Sequence, residues 1–404
     1  MNATLLRAAR EIVTCTSTDA GCIRTDSSLL MADGAIVALG DEAELTQLRA
    51  DATVVDCTGK VITPGFVDSH THAVFGGWRA AEFALRSRGV SYMEIARRGG
   101  GINASVKDVR SSSEDELLES TLARLDVMLH LGTTTVEIKS GYGLDTASEL
   151  KQLRVVRRAQ QQAPLTIVPT FLGAHEFPAE YRDNHNAYVD LLVNEMIPAV
   201  AAEKLARFCD VFMEPGVFTA AQTRRILEAG TRHGLLPKLH ADELENSGAA
   251  ELAAELNAVS ADHLGAISDR GITALALSRT VATLLPATLL FLGKSRYAPA
   301  RRLIDAGATV ALATDFNPGS SPTPSMPLVL TLACTQMGMD PLEAIVAATA
   351  GGARALALQD GTGTLVPGAP ADVLLWDAAD HREVPYRFGS PPLKALWQRG
   401  KRVQ

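Results

Sequence analysis

Clustered positive charge is missing from this chain. No run of five or more Lys and Arg occurs in its 404 residues, and the balance is acidic, 38 basic against 46 acidic side chains for a net charge of −8. Nucleic acid and anionic membrane surfaces both select clustered cations, so neither is an expected partner. Long apolar runs are missing too. None approaches the roughly 18 residues of a membrane span, and Met1 to Arg7 lack the apolar core of a secretory signal, which makes the cytoplasm the expected compartment. Cysteine is scarce: Cys15, Cys22, Cys57, Cys209 and Cys334 are odd in number and include no CxxC pair. Reduced, mostly buried thiols are therefore expected.

What is present is an ordinary globular composition, 47% hydrophobic with 21% charged residues. The length exceeds the usual single core, so one large domain plus a smaller one is expected. From Thr4 to about Ile62, short apolar segments broken by Gly, Asp and Thr predict strands at 11–15, 28–31, 35–39 and 53–55. A similar texture returns only at 361–377 and 393–397. Neither end has enough strands to bury a face alone. The expectation is a β-sandwich built from both ends, residues 1–62 and 356–404, with a domain at 63–355 inserted between them.

Within 63–355, apolar strands alternate with helical patterns, the signature of βαβ units and a parallel sheet. Eight strands are predicted, at 65–70, 133–138, 166–172, 210–213, 236–240, 258–263, 280–285 and 309–314. Eight such units make a closed (β/α)₈ barrel, a TIM-like α/β fold. Two helices are legible in detail: 114–131 carries a leucine stripe, and Asp340-Pro341-Leu342-Glu343 combines an N-cap, a first-turn proline and a capping box.

In such a barrel the C-terminal strand ends open into the active site. The first predicted strand, with Val61, Ile62, Phe66 and Val67 in one apolar run, ends in His70-Thr71-His72, whose alternate spacing puts both imidazoles on one face. Two neutral nitrogen donors so placed can grip one divalent metal. The other strand ends supply His175 and Glu176, Glu214, His240 to Glu243, Asp262 and His263, and Asp315. Alone, each is readily a surface loop residue; together they describe a metal hydrolase.

Histidines in HxH after strand one, His after strands five and six and Asp after strand eight resemble the amidohydrolase superfamily over essentially the whole chain, the split sandwich included. The resemblance implies His70, His72, His240 and Asp315 as metal ligands with His263 beside them. Strand four, 210–214, offers no lysine to bridge two metals, so one divalent ion is expected, Zn²⁺ or iron. Lys139 is either structural or a neighbour of the substrate.

Four further stretches sharpen the likeness: 66–72 followed by Phe75-Gly76-Gly77-Trp78-Arg79, 137–144, 171–175 and 314–320. They are similar to the members that hydrolyse the ring C–N amide bond of 4-imidazolone-5-propanoate to N-formimidoyl-L-glutamate, a step of histidine degradation. On that resemblance Asp315, His263 and Glu243 carry the chemistry. Arg79, suited to a bidentate grip on the propionate, binds substrate with Tyr142, His175, Glu243, Asn317, Gly319, Ser320 and, more weakly, Tyr92. A homodimer is common among such barrels. Bland alternatives stand beside these roles: a surface ion pair for Arg79, a core aromatic for Tyr142, capping for His175 and Glu243, a plain turn for Asn317. His130, His185, His233 and His381 read as structural or solvated. Gly99-Gly100-Gly101 is a hinge or flap near the site, or a plain connection. The competing functions are a heterocycle deaminase, another cyclic amidase, and a non-catalytic scaffold.

Overall fold

A computed structural model of the protein describes residues 3–90, 94 and 100–403. Tyr92 and Gly99 lie outside the described residues. The chain enters through β1 (Ala3–Val13), β2 (Ile23–Ala32), β3 (Ala35–Gly40), β4 (Thr53–Asp56) and β5 (Val61–Pro64). Eight barrel strands follow: β6 (Phe66–Asp68), β7 (Thr133–Lys139), β8 (Thr166–Ala174), β9 (Phe208–Met213), β10 (Leu236–Ala241), β11 (Ser260–His263), β12 (Val281–Leu284) and β13 (Val310–Leu312). Three more strands, β14 (Val373–Trp376), β15 (Leu393–Gln398) and β16 (Lys401–Arg402), complete the chain.

The end strands form one continuous hydrogen-bonded sheet in the order β16-β15-β14-β5-β1-β2-β3, with β4 also on β1. Its two arms share a core in which Leu6, Leu29 and Met31 meet Val373, Leu375 and Trp397. β1 starts at Ala3, well before the predicted residue 11, and a register shift between Leu6 and Ala9 interrupts its pairing with β2. That irregularity hides the strand from a period-two pattern.

The apolar run predicted as one strand is two. Val61–Pro64 pairs with β14 in the end sheet, whereas Phe66–Asp68 pairs with β7 in the barrel. Gly65 is the hand-over: its N–H donates to the Asp372 carbonyl at 2.9 Å, and a Cβ there would lie 2.1 Å from the Thr134 hydroxyl oxygen. Only glycine permits that approach.

In the barrel all neighbouring strands run parallel, in the order β6 through β13. The seam between β6 and β13 is closed at their C-terminal ends. Asp68 accepts from the Thr314 backbone N–H at 3.0 Å and from its hydroxyl at 2.6 Å. Just beyond, the Asp315 N–H donates to the His70 carbonyl at 3.0 Å and the His72 N–H to the Phe316 carbonyl at 2.9 Å. The closure of the barrel is thus made by the segments that carry His70, His72 and Asp315. The predicted helices are present, 114–130 with a Ser113/Glu116 capping box and 341–346 with an Asp340/Glu343 box. Among the described residues no helix is long and apolar enough to cross a membrane.

The junction between sheet and barrel carries a titratable group. Asp372 is buried and accepts from the Arg399 N–H at 2.7 Å; burial lifts its carboxyl from the ordinary 3.8 to about 6. Folding therefore favours its protonated form. That contribution is complete below about pH 4 and is lost as pH rises through about 6. Asp372→Asn keeps the acceptor and removes the titration, so its stability relative to the parent should rise between pH 4 and 7 by at most about 3 kcal/mol. Thermal melts across that range check this; parallel curves for the two proteins would refute it.

Candidate metal and active site

The buried layer under the site comes from alternate residues of the central strands. Glu137 and Lys139 on β7, Asp210 on β9, Lys238 on β10 and Asp262 on β11 are all fully buried. Charges so placed persist only when paired. Lys139 Nζ donates to Glu137 at 2.8 Å and to Asp210 at 2.7 Å, and Lys238 Nζ donates to the Ser69 carbonyl at 3.0 Å and lies 3.1 Å from Glu137. Both lysines also approach Asp262, at 3.8 and 3.7 Å. Lys139 is therefore a structural member of this network.

Two of its carboxylates back histidines. Asp262 Oδ2 lies 2.7 Å from His70 Nδ1, and Asp210 Oδ2 lies 3.1 Å from His240 Nδ1. A carboxylate at Nδ1 selects the tautomer with its proton there, leaving Nε2 with a free lone pair. In agreement, Nε2 of His70 is buried without a hydrogen-bond partner; for His240 both ring nitrogens are buried without one, so Asp210 stands near Nδ1 at ion-pair distance and only the His70 tautomer is fixed by a hydrogen bond. Burial, with neighbouring cationic groups, holds His70, His72 and His263 well below the usual imidazole range, so their rings are neutral donors.

These atoms form a cluster with the chemistry of a divalent cation site. His70, His72 and Asp315 offer ligand atoms within 4.8 Å of one another, and so do His70, His240 and His263. Asp315 Oδ1 is 3.5 Å from Nε2 of both His70 and His72, while Oδ2 accepts from the Thr288 hydroxyl at 2.6 Å. Burial lifts the Asp315 carboxyl to about 6. Asp315 and His263 both adopt positive φ, 53° and 82°. Three neutral nitrogens, a fourth close by and one carboxylate fit a single divalent metal.

The cluster opens into a cavity of about 420 Å³ whose lining includes His72, Tyr142, His175, His240, Glu243, His263, Asp315, Asn317, Gly319, Ser320 and Arg79. Every predicted site residue within the described structure, bar fully buried His70, lines it. His175 stacks on His72 with ring centres 5.0 Å apart, anchored by Nδ1 to the Gly141 carbonyl at 3.0 Å. Tyr142 packs 5.7 Å from His72 and 5.5 Å from His175. Glu243 lies 3.6 Å from His263 Nε2, and burial raises its carboxyl to about 8. Asn317 Oδ1 accepts from the N–H groups of Gly319 and Ser320, both at 2.8 Å, fixing the turn. Arg79 Nε donates to Glu82 at 3.1 Å.

Other strand-end candidates have structural tasks. Glu214 accepts from the N–H groups of Leu244 and Glu245, and Asp242 accepts from those of Ser247, Ala249 and Ala250, so together they shape the loop that carries Glu243. His130 and His233 end helices, His185 stacks on Phe177, and His381 pairs with Glu11. Asp262 is predicted only as a strand-end candidate, and Asp210 and Lys238 not at all. The available signal was the charged residues inside otherwise apolar strands, which demand buried partners.

Replacing Asp262 by Asn should weaken the metal site without emptying the cavity, by about 10–100-fold in affinity as for other groups that orient ligand histidines. Metal retained after competition with a chelator reads this out. Retention equal to the parent would show that the His70 tautomer does not depend on Asp262.

Residues 61–403 match the model of the amidohydrolase family. Two proteins named imidazolonepropionase illustrate the sequence similarity: that of Symbiobacterium thermophilum is 50% identical over 93% of this chain and 89% of its own. The one from Geobacillus thermodenitrificans is 46% identical over 100% and 98%. Among solved structures, a 5-methylcytosine deaminase from Klebsiella pneumoniae superposes with a TM-score of 0.76 at 19% identity, covering 99% of this chain and 97% of its own. A zinc-bound adenosine deaminase from Xanthomonas campestris gives 0.73 at 18%, covering 99% and 92%. Barrel, split end sheet and histidine–aspartate cluster agree with these matches: the chain belongs to the amidohydrolase family.

Proposed function

We propose that this hydrolase opens the ring amide of 4-imidazolone-5-propanoate to give N-formimidoyl-L-glutamate, as the names of its relatives suggest. One observation carries the proposal: a cluster suited to a divalent metal and a cavity-lining arginine face the same space. A ring amide with a propionate tail needs both. A deaminase of neutral heterocycles needs only the first.

In this proposal His70, His72, His240 and Asp315 hold one divalent ion, zinc or iron. When bound, such an ion supplies Lewis-acid polarisation and brings the acidity of water close to neutral. The chain's own groups divide the protons. Asp315, with a carboxyl lifted to about 6 and one oxygen held by Thr288, is ionised at neutral pH and takes a proton from the attacking water. The water oxygen bonds to the ring carbonyl carbon, and the ring C–N bond breaks. Glu243, raised to about 8, still carries its proton at neutral pH and delivers it to the departing nitrogen. His263, beside Glu243, steadies the oxyanion. Arg79 takes the tail carboxylate, Tyr142 and His175 border the ring, and the Asn317–Ser320 turn presents polar atoms to the new carboxylate.

Freshly generated 4-imidazolone-5-propanoate should disappear faster than its spontaneous decay and yield N-formimidoylglutamate. Chelation should abolish the catalysed part and metal return should restore it. Bound metal with no catalysed loss would retain the hydrolase and reject the substrate. Arg79→Ala should raise KM for the propanoate by 10²-fold or so, the cost of about 2–3 kcal/mol for a charge-assisted contact. An unchanged kcat/KM would favour the deaminase alternative.

A further inference from the structure

Arg79 is not alone on its helix. It forms the N-cap of the helix at 80–87, and Glu82 and Arg86 stand three and seven residues on, along one face. All three line the cavity. Arg86 Nη2 donates to the Gly319 carbonyl at 3.2 Å, with its guanidinium 4.8 Å over the Phe291 ring. Gly319 also lies against Arg79: a Cβ on it would come within 2.4 Å of the Arg79 guanidinium carbon. Two cations therefore bracket one peptide unit. Burial, and after it the nearby Arg79, lowers the affinity of Arg86 for its proton. Glu82 faces Arg79 and is divided between Arg79 Nε and the Gly101 N–H at 2.9 Å. Arg79 and Arg86 thus place two guanidinium groups beside Gly319 in the cavity lining.

We propose that Arg86 is a positioning and specificity residue for the substrate tail: it holds Gly319 against the Arg79 guanidinium and contributes the second positive charge that makes the pocket select a carboxylate. The proposal rests on the substrate assigned above. It predicts a preference that a merely structural arginine does not produce, namely one confined to charged tails. Arg86→Gln should raise KM for the propanoate by about tenfold, equivalent to 1.4 kcal/mol, with kcat changed less than about twofold. The analogue with an amide tail should be handled alike by both proteins. Arg86→Lys, which restores charge but not the planar fork, should recover part of the loss.

Calorimetric titration with N-formimidoyl-L-glutamate and with its γ-amide separates this proposal from the reaction on which it rests. Binding that favours the acid in the parent and loses that preference in Arg86→Gln upholds the role even where no imidazolone is consumed. A preference that persists in Arg86→Gln overturns it. So does a loss of equal size for acid and amide.

Discussion

Two lysines and three carboxylates share the barrel interior directly beneath the histidines, and the site is built on their mutual pairing. Desolvating such charges is costly, and removing one partner of a buried pair costs about 3–5 kcal/mol. The network spans strands: Glu137 and Lys139 on β7, Asp210 on β9, Lys238 on β10 and Asp262 on β11. Its upper edge does chemical work. Asp262 accepts a hydrogen bond at His70 Nδ1 and Asp210 lies 3.1 Å from His240 Nδ1, so the arrangement that pairs the buried charges also leaves His70 Nε2 with a free lone pair toward its neighbouring histidines and Asp315.

The same economy governs the seam. The ladder between β6 and β13 is completed by Asp68 with Thr314 and by backbone bonds of His70, His72, Asp315 and Phe316. A distortion that opened the barrel would therefore separate His70 and His72 from Asp315. Arg124 extends this control outward: it donates to the Ala73 and Phe75 carbonyls and lies 3.4 Å over the Phe75 ring, fixing the loop that follows the histidines. Rigid support of this kind keeps the His70-Thr71-His72 segment in place.

Much of this was legible before the fold was known. The alternation of apolar strands and amphipathic helices gave the barrel, since period two and period 3.6 are local properties. The polar residues at strand ends followed once the strands were placed. What escaped has common physical causes. The start of β1 is not visible in the pattern because its pairing with β2 shifts register between Leu6 and Ala9. Periodicity makes the run 61–67 one strand, since it cannot reveal that Gly65 hands the chain from one sheet to another. Arg86 and Glu82 escaped because a charged residue on a helix face looks solvated until something is known to face it.

The sequence by itself determined the fold class, the order of the units and the chemical inventory: histidines at alternate spacing, an aspartate after the eighth strand, an arginine just beyond the first. Those are matters of residue type and short-range spacing. The tertiary structure alone decided which charges meet. His70 and Asp262 are 192 residues apart and lie 2.7 Å from each other, and Asp68 meets Thr314 across 246 residues. Pairings at such separations are fixed by barrel closure and by the cost of leaving any buried charge without a partner, and no local pattern in the chain encodes them.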